Sequence, residues 1–376
     1  MKNFIPVNEP LLEGNEKKYL EECIDTGWIS SEGPFVKRFE QEFAARVGRK
    51  YGIAVSNGTA AIDAAVEVLN IGIGDEVILP TFTIISCILQ IKRSGATPIL
   101  VDSDPLTWNM DVSKIEAKIT SRTKAIMVVH IYGLPVDMSL VMDLCHRYNL
   151  KLIEDAAEMI GQTYNGRQCG SFGDVSTVSF YSNKHITTGE GGMILTDDEK
   201  IANNCRELRN LCFTPDNRFV HKRLGWNLRM TNIQAALGVA QLEMLEKFLK
   251  KKRWIGEKYN QLLAELPEVQ LPLKKTEYAE NIYWVYGLVL DDYLKFDAKE
   301  IMVDLSKNGI GCRPFFYPMH QQPVLINQGL FKGESYPVAE QLYRKGFYLP
   351  SGLSLTEDQI VRVSDTLKKT LQIMKK

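Results

Sequence analysis

The chain has 376 residues, of which 45% are apolar, and this is enough for one large α/β unit and a smaller second domain, each with its own core. The 45 Lys and Arg residues nearly balance the 46 Asp and Glu residues, so no chain-wide charge attracts nucleic acid or an anionic membrane. Any anionic ligand must therefore be held by a local site, and neither nucleic acid nor a membrane is expected as a partner.

The start of the chain lacks the apolar core and the small-residue cleavage site of a signal peptide. No later segment has about 18 uninterrupted apolar residues, the length that crosses a membrane. We therefore expect a cytoplasmic protein. The seven cysteines are scattered without a C-x-x-C pair, so the sequence predicts neither a disulfide framework nor a zinc site, and no metal is expected.

Short β-branched runs alternate with amphipathic stretches between residue 51 and about residue 160. The predicted strands lie in YGIAVS, DEVILP, TPILVD, AIMVVHIYG and LKLIED, and the predicted helices lie in TAAIDAAVEVLNI, IISCILQIKRSG and VDMSLVMDLCHRYN. This alternation is typical of βαβ units around a buried parallel sheet. Ligands of such sheets bind at the carboxyl ends of the strands.

The second half of the chain indicates a separate, smaller α/β unit. After Met230 a long periodic stretch predicts one or two helices, which lead out of the large domain. Strands are predicted at IYWVYGLVL and CRPFFYP, and helices at AKEIMVDLSKNG and in the last 21 residues. We place the boundary near residue 247, which gives a large domain of residues 1–246 and a small domain of residues 247–376.

Three strand ends carry unusual polar residues. In SNGT, Gly58 permits a tight turn and Thr59 begins a helix whose free N–H groups could bind phosphate, although the same residues are common in an ordinary helix cap. In LIEDAAE, Asp155 follows an apolar strand, where it is either a helix cap or a carboxylate with a cationic partner. The motifs GxGxxG and GxxxxGK[ST] are absent, which disfavours a dinucleotide or nucleoside triphosphate site.

Lys184 follows the third of these strands, VSTVSFY, among Ser182, Asn183, Thr187 and Thr188. A lysine in a loop is usually solvated, but a lysine that forms a Schiff base needs partial burial and polar, uncharged neighbours. A helix N-terminus for phosphate, a lysine for an aldehyde and a carboxylate for a pyridine nitrogen are together the requirements of pyridoxal 5'-phosphate (PLP). The three features together are much more specific for PLP than any one of them alone.

The sequence also resembles the DegT/DnrJ/EryC1/StrS family of sugar aminotransferases over essentially its whole length. The resemblance is carried by the blocks TGWISSEGPFVKRFEQEFA, VSNGTAAI, ATPILVDSD, AIMVVHIYG, IEDAAE, SFYSNKHITTGEGGMILT and GWNLRMTNIQAALG. It implies a PLP-dependent fold type I transferase, with a mixed, mostly parallel seven-stranded sheet in the large domain. Within the family, the GDP-perosamine synthases are the most similar group.

The resemblance implies roles for individual residues around the cofactor. Lys184 forms the internal aldimine and later moves a proton between cofactor and sugar, and Asp155 binds the pyridine nitrogen. Glu158 takes the position beside the phenolic oxygen that glutamine often holds. The phosphate is expected to contact Gly58, Thr59 and Ser179 of the same subunit and Asn227 of the neighbouring one.

Ile84 departs from the family pattern, because an aromatic residue usually stacks on the pyridine ring at this point of a PTFTY-like turn. The chain reads PTFTII, which offers an aliphatic face instead. Sharing of Asn227 implies a homodimer with both active sites at the interface. His185 is expected to point into the sugar pocket beside the catalytic lysine.

The substrate side is predicted from residues of suitable chemistry. Arg313 suits a pyrophosphate, and Phe316 and Tyr317 suit stacking on a base, although the phenylalanines of this segment could instead belong to the small domain's core. Arg229 and His320 are candidate anion or hydroxyl contacts, and the TGWIS turn brings Trp28 and Ser30 near the sugar.

The resulting hypothesis is an aminotransferase that passes the amino group of L-glutamate, through pyridoxamine 5'-phosphate (PMP), to C4 of a nucleotide-linked 4-keto-6-deoxy sugar. GDP-4-keto-6-deoxymannose is the first choice, with 2-oxoglutarate and GDP-perosamine as products for surface polysaccharide. Transfer at C3 or to a UDP- or dTDP-linked sugar remains an alternative. A PLP-binding regulator without turnover is the alternative from another class, but no helix-turn-helix or basic patch supports it.

Overall fold

The computed structural model describes residues 4–213 and 218–375. The helices are α1 (Glu16–Thr26), α2 (Pro34–Val47), α3 (Gly58–Val68), α4 (Ser86–Arg93), α5 (Met138–Arg147), α6 (Glu199–Arg209), α7 (Asn232–Glu243), α8 (Leu245–Leu263), α9 (Ala298–Lys307), α10 (Pro323–Ile326), α11 (Pro337–Lys345) and α12 (Glu357–Met374). The strands are β1 (Tyr51–Val55), β2 (Glu76–Pro80), β3 (Thr97–Val101), β4 (Thr123–Val129), β5 (Lys151–Asp155), β6 (Thr163–Tyr164), β7 (Arg167–Gln168), β8 (Val175–Ser179), β9 (Gly192–Thr196), β10 (Val269–Gln270), β11 (Tyr286–Leu290), β12 (Arg313–Pro314) and β13 (Gly346–Leu349). No helix among these described residues combines the length and the apolar character that crossing a membrane requires.

The large sheet has seven strands in the order β1-β9-β8-β5-β4-β2-β3. The pairs from β3 through β8 are parallel, and β9 is antiparallel to both of its neighbours, so it alone runs against the other six strands of this sheet. The predicted fold class, an α/β protein with a mixed, mostly parallel seven-stranded sheet, is confirmed. The antiparallel strand β9 lies in the GGMILT segment, which the sequence pattern did not identify as a strand.

Helices cover both faces of this sheet, which explains why its strands are mostly apolar. On one face, α3 and α6 bury side chains such as Ile62 and Leu208 against the sheet. On the other face, α2 and α7 contribute Phe39 and Val239 to a second core. The sheet is therefore covered on both faces, which leaves its strand ends as the place for a ligand site.

The smaller sheet has the order β10-β11-β13-β12, is antiparallel, and packs against α8, α9 and α12 through residues such as Tyr259, Ile301 and Ile360. The stretch after Met230 forms two helices, α7 and α8, which meet at Met244. The predicted domain boundary at residue 247 falls in the first turn of α8 and stays a prediction.

The strand predicted at CRPFFYP is much shorter than expected, since only Arg313 and Pro314 pair with β13. Proline has no backbone N–H to donate to a sheet, and this segment contains Pro314 and Pro318. The rest of the segment instead runs back toward the large sheet, where the N–H of Met319 donates to the carbonyl of Thr81 (2.8 Å). This return path carries Phe316 toward the strand ends.

Candidate active site

A cavity of about 400 Å³ opens at the carboxyl edge of the large sheet. Residues one or two positions beyond the ends of β1, β4 and β8 line it, among them Asn57, His130 and Tyr181. The last residue of β5, Asp155, also lies in its wall. The volume lies in the range of about 300–1,000 Å³ that is typical of small-molecule sites. The predicted position of the ligand site at the strand ends therefore coincides with a cavity.

The residues that the sequence assigned to the cofactor lie together in this cavity, with the exception of Asn227. The lining includes Gly58, Thr59, Ile84, Asp155, Glu158, Ser179 and Lys184. Phe316, from the predicted substrate residues, also lines it. These residues are spread over more than 250 positions of the sequence, and their convergence is the main structural support for the proposed roles.

One end of the cavity is built from the N-termini of two helices. Asn57 caps α3 by accepting a hydrogen bond from the N–H of Ala60 (2.8 Å), so Gly58 and Thr59 form the first turn. The hydroxyl of Thr59 lies 2.8 Å from that of Ser86, the first residue of α4. Free N–H groups and hydroxyls at helix N-termini favour a phosphate. Ser86 was missed in the sequence because an isolated serine in an apolar stretch carries no distinctive signal.

Gly58 allows the backbone of α3 to approach β8 closely. A Cβ atom at Gly58 would lie 2.8 Å from the Cβ of Ser179, which is closer than such atoms pack in proteins. The glycine therefore brings the backbone N–H groups of the turn next to the hydroxyl of Ser179. The sequence left open whether these residues form a helix cap or a phosphate site. The observed geometry allows them to do both.

Lys184 lies in a turn after β8, in which its N–H donates to the carbonyl of Tyr181 (2.9 Å). Its side chain is 10% exposed, and its Nζ lies 3.9 Å from Oε1 of Glu158. Burial lowers the pKa of Lys184, although the charges of Glu158 and Asp155 oppose that effect. The neutral amine of a lysine is the nucleophile that attacks an aldehyde, and a lowered pKa favours that neutral form.

Two buried carboxyl groups face the same region. Burial raises the pKa of Asp155, which the N–H of Ala157 (3.0 Å) and the charge of Lys184 partly counteract. The thiol of Cys87 lies 3.5 Å from Oδ2 of Asp155. Burial also raises the pKa of Glu158 to about 8, although Lys184 and a hydrogen bond from the N–H of Tyr132 (2.7 Å) lower it.

Aromatic and aliphatic side chains form the remaining walls. Ile84 is 48% exposed and offers its aliphatic side chain to the cavity at the place where the resemblance anticipated an aromatic ring. Trp284, Tyr348 and Tyr181 supply aromatic surface that the sequence analysis did not assign to the site. Tyr348 lies in β13 of the smaller sheet and Trp284 lies two residues before β11, so no local sequence pattern points to them.

His185 does not line the cavity, in contrast to the expectation that its ring points into the sugar pocket. Its side chain is fully buried, and burial together with the charges of Lys252 and Lys184 holds its pKa well below the usual range. Consecutive side chains of a turn point in different directions, and here Lys184 takes the cavity side. The ring of His185 is consequently neutral and lies within the protein interior.

His320 and Tyr317 also lie outside this cavity lining. Both ring nitrogens of His320 have partners, Thr81 Oγ1 at 2.9 Å and Glu340 Oε1 at 3.0 Å, and the residue is buried. Tyr317 packs edge-on against Tyr343, with 4.6 Å between ring centroids. His320 thus links α11 to Thr81 of the large domain, and Tyr317 packs on α11, so both side chains have a structural use.

Arg313 lines a second cavity of about 220 Å³, which shares Tyr181, Asn183 and Tyr348 with the first. Its side chain is exposed, and its Nη1 donates to the carbonyl of Cys312 (3.0 Å). Arg313 therefore lines a cavity that adjoins the first one.

The remaining predicted residues cluster beside the edge strand β1. The N–H of Ser56 donates to the carbonyl of Leu228 (2.8 Å), so the segment that contains Asn227 and Arg229 extends the sheet next to β1. The side chain of Asn232 donates to the carbonyl of Trp28 (2.7 Å), which ties the TGWIS turn, including Ser30, to the start of α7. Within this single chain, these residues do not line the first cavity.

The side chains in the cavity fit PLP. A buried carboxyl group, a lysine of lowered pKa and a helix N-terminus with hydroxyl groups match the pyridine nitrogen, the aldehyde and the phosphate, respectively. The close approach at Gly58 leaves no room for a larger residue at the phosphate end. When bound, the cofactor supplies an electron-withdrawing ring that stabilises negative charge on a neighbouring carbon.

Comparisons with known proteins agree with this geometry. The sequence model of the DegT/DnrJ/EryC1/StrS aminotransferase family matches residues 10–368. The chain is 42% identical over 366 residues to a GDP-perosamine synthase of Escherichia coli O157:H7, covering 97% of this chain and 98% of that protein. It is 43% identical over 373 residues to a GDP-perosamine synthase of Caulobacter vibrioides, covering 98% of each.

Solved structures share the whole fold. Spr1654 of Streptococcus pneumoniae, solved in a PMP form, superposes with a TM-score of 0.90 at 26% identity, covering 99% of this chain and 100% of that one. The chain therefore belongs to the DegT/DnrJ/EryC1/StrS aminotransferase family, and it is a sugar aminotransferase that uses PLP.

Proposed function

We propose that the protein transfers the amino group of L-glutamate to C4 of GDP-4-keto-6-deoxymannose, which yields GDP-perosamine and 2-oxoglutarate for O-antigen or another surface polysaccharide. The observation that carries the chemistry is the placement of Lys184, Asp155 and the α3 N-terminus around one cavity. The choice of sugar is supported by identities of 42% and 43% to GDP-perosamine synthases over nearly the full chain.

In this proposal Lys184 binds the cofactor's aldehyde carbon, and its Nζ later moves a proton on and off the substrate carbon that carries the amino group. Burial lowers its pKa, which favours the neutral amine that can accept a proton. Asp155 binds the pyridine nitrogen and keeps it protonated. The hydrogen bond from the N–H of Ala157 holds the carboxylate in place.

Glu158 is proposed to lie beside the phenolic oxygen of the cofactor. With a pKa near 8 it carries a proton at neutral pH and can therefore donate a hydrogen bond, as the amide of glutamine would. This explains how glutamate can take a position that glutamine often holds in the family. Gly58, Thr59, Ser86 and Ser179 would bind the phosphate.

The nucleotide-linked sugar is proposed to enter over Ile84 and Phe316 and to extend toward Arg313. The second cavity, which Arg313 lines, shares Tyr181, Asn183 and Tyr348 with the first, and this adjacency supports the proposed direction. An exposed guanidinium is suited to bind a pyrophosphate by bidentate hydrogen bonds.

We further propose a homodimer in which Asn227, Arg229, Trp28 and Ser30 complete the active site of the neighbouring subunit. This assignment accounts for the position of these residues beside β1, outside the cavity of their own chain. Exposed apolar side chains in the same segments, such as Trp28 (51%), Ile29 (50%) and Leu224 (94%), are consistent with a covered surface.

A substrate panel tests the function. The protein is converted to its amino form with L-glutamate, followed by absorbance, and then offered GDP-, UDP- and dTDP-linked keto sugars. We expect recovery of the aldehyde form with GDP-4-keto-6-deoxymannose and a product with the amine at C4 by mass and NMR analysis. A C3 amine, or turnover confined to a UDP- or dTDP-linked sugar, would contradict the substrate assignment, and no response to L-glutamate would indicate a regulator.

A further inference from the structure

Trp284 reaches the candidate active site from the other end of the chain. It lies two residues before β11 of the smaller sheet, is 4% exposed, and lines the cavity that contains Lys184. The family blocks that identify the cofactor site do not include it. Its contacts nevertheless converge on the lysine.

The indole ring lies directly against the amine of Lys184. Nζ is 3.8 Å from the centroid of the Trp284 ring, which is closer than the limit of about 6 Å for a cation–π contact. The nearest carboxylate, Glu158, lies at 3.9 Å, but its pKa of about 8 leaves it mostly uncharged at neutral pH. The ring face is therefore an attractive partner for the ammonium group that does not depend on the ionisation of Glu158.

The same side chain also holds the backbone before the lysine. Nε1 of Trp284 donates a hydrogen bond to the carbonyl of Asn183 (2.8 Å), the residue that precedes Lys184. Trp284 thus contacts both the peptide bond that precedes Lys184 and the end of the Lys184 side chain.

Trp284 is itself fixed by a buried lysine. Nζ of Lys252, in α8, donates to the carbonyl of Trp284 (2.8 Å) and to that of Ser351 (2.7 Å), and Lys252 is 1% exposed. The ring of Tyr132 packs against the indole, with 5.9 Å between centroids. Lys252 therefore holds the backbone of Trp284, and Tyr132 packs against one side of its ring.

We propose that Trp284 is a positioning residue for Lys184: its N–H orients the peptide before the lysine, and its ring face receives the protonated amine whenever that amine is not bonded to the cofactor. This inference rests on the role of Lys184 proposed above. It means that the segment leading into the smaller sheet takes part in the reaction by stabilising the released, charged state of the lysine.

Fluorinated tryptophans test the ring contact without changing its shape. Tryptophan with an increasing number of ring fluorines is placed at position 284 by nonsense suppression, and the Lys184 pKa is titrated in cofactor-free protein by ¹³C-lysine NMR. Lys184→Arg serves to assign the signal. Because fluorine weakens the negative ring face, we expect the pKa of Lys184 to fall progressively, by about one pH unit across the series. A constant pKa would overturn the ring part of the proposal.

The matched control is the same series at Trp254, whose ring lies 3.9 Å from Nζ of Lys251. It should change the titration of Lys251 and leave that of Lys184 unchanged. An equal response of Lys184 to both series would indicate a general effect of fluorination and would also contradict the proposal.

Trp284→Phe tests the hydrogen bond, since it keeps a ring but removes the N–H. We expect amide hydrogen exchange in residues 181–186 of the cofactor-free protein to become roughly 3- to 10-fold faster, while Trp254→Phe leaves it unchanged. Unchanged exchange in Trp284→Phe would refute the backbone role.

Peptide mapping of the borohydride-reduced parent holoenzyme separates failure of this inference from failure of the proposed function. A label on a residue other than Lys184 would refute the proposed function and this inference with it. A label on Lys184 together with a flat fluorine series would refute the role of Trp284 alone.

Discussion

At the scale of single residues, the candidate site depends on burial that moves a lysine and two carboxyl groups toward their neutral forms. Lys184 has a lowered pKa, whereas those of Asp155 and Glu158 are raised. Perturbed pKa values of this kind cluster where proton transfer is carried out. The same three residues in water would be fully charged at neutral pH, and the lysine would be a poor nucleophile.

Replacement of the lysine is the first test at this scale. We expect Lys184→Ala to lower amine transfer by at least about a thousandfold, because it removes both the bond to the cofactor and the proton carrier. Fold and oligomeric state should remain those of the parent by circular dichroism and gel filtration. Lys345→Ala is an instructive comparison, since it removes a buried lysine that donates to the carbonyls of Leu294 and Phe296, outside the cavity lining, and should primarily lower stability. Turnover of Lys184→Ala near the parental rate would exclude the assignment.

Replacement of Glu158 by Gln tests its coupling to Lys184 through pH. Below about pH 7 Glu158 is protonated in the parent, so the parent and the variant should attach PLP to the cofactor-free protein at the same rate. Above about pH 8 the parent gains a negative charge that stabilises the ammonium form of Lys184, whereas the variant does not. The rate of PLP attachment rises with pH as Lys184 loses its proton. In the variant this rise should therefore be complete at a lower pH than in the parent.

Glu190→Gln is the control for this prediction, because Glu190 is an exposed carboxylate that also lines the cavity. Its pH profile should follow that of the parent. A Glu158→Gln profile that coincides with the parent at all pH values would show that the two groups are not coupled.

At the scale of elements, the site is a meeting point of helix N-termini with strand ends. The start of α3 and the first residue of α4 approach each other through Thr59 and Ser86, and the close approach of α3 to β8 is possible because residue 58 is glycine. The orientation of these N–H groups is fixed by the scaffold before any ligand binds, which lowers the cost of ordering the site.

Gly58→Ala tests this close approach. The added Cβ would meet the Cβ of Ser179 at 2.8 Å, so the helix start or β8 must move, and PLP affinity should fall by roughly 10- to 100-fold. Affinity is measured by absorbance titration of the cofactor-free protein. In Gly72→Ala the nearest atom lies at 3.7 Å, so affinity should be unchanged. Parental affinity in Gly58→Ala would contradict the proposed phosphate site.

How far the sequence predicts these elements depends on whether the signal is local. The strand ends at Gly58 and Asp155 follow from short-range patterns, and the structure brings these residues together as expected. Trp284 could not be found in this way, since its place in the cavity results from packing of the smaller sheet against the larger one. The direction of His185 was not predictable either, because sequence position beside Lys184 does not determine which side of a turn a side chain takes.

At the scale of the whole molecule, the proposed residues fall into two groups, one inside the cavity and one beside β1. A monomer leaves the second group, which includes Asn227 and Arg229, without a role in its own cavity. A dimer that exchanges these segments would use both groups in each of two active sites. Catalysis and assembly would then depend on each other.

Subunit mixing tests this exchange. Lys184→Ala and Asn227→Asp are each expected to be impaired as homodimers, the second because its added negative charge opposes a phosphate. In a mixed dimer one site would contain both parental residues. Random exchange of an equal mixture should restore about a quarter of the parental activity, since half of the dimers are mixed and each has one intact site. Activity no higher than the sum of the two variants would contradict shared sites.

The most direct measurement is the location of the covalent bond to the cofactor. The holoenzyme is reduced with borohydride, digested, and analysed by mass spectrometry for the peptide that carries the pyridoxyl group. We expect the label on Lys184, in the segment SFYSNKHITTGEGG, and its loss after prior conversion to the amino form with L-glutamate. A label on another lysine, or no label in a PLP-loaded protein, would contradict the assignment on which the proposed chemistry depends.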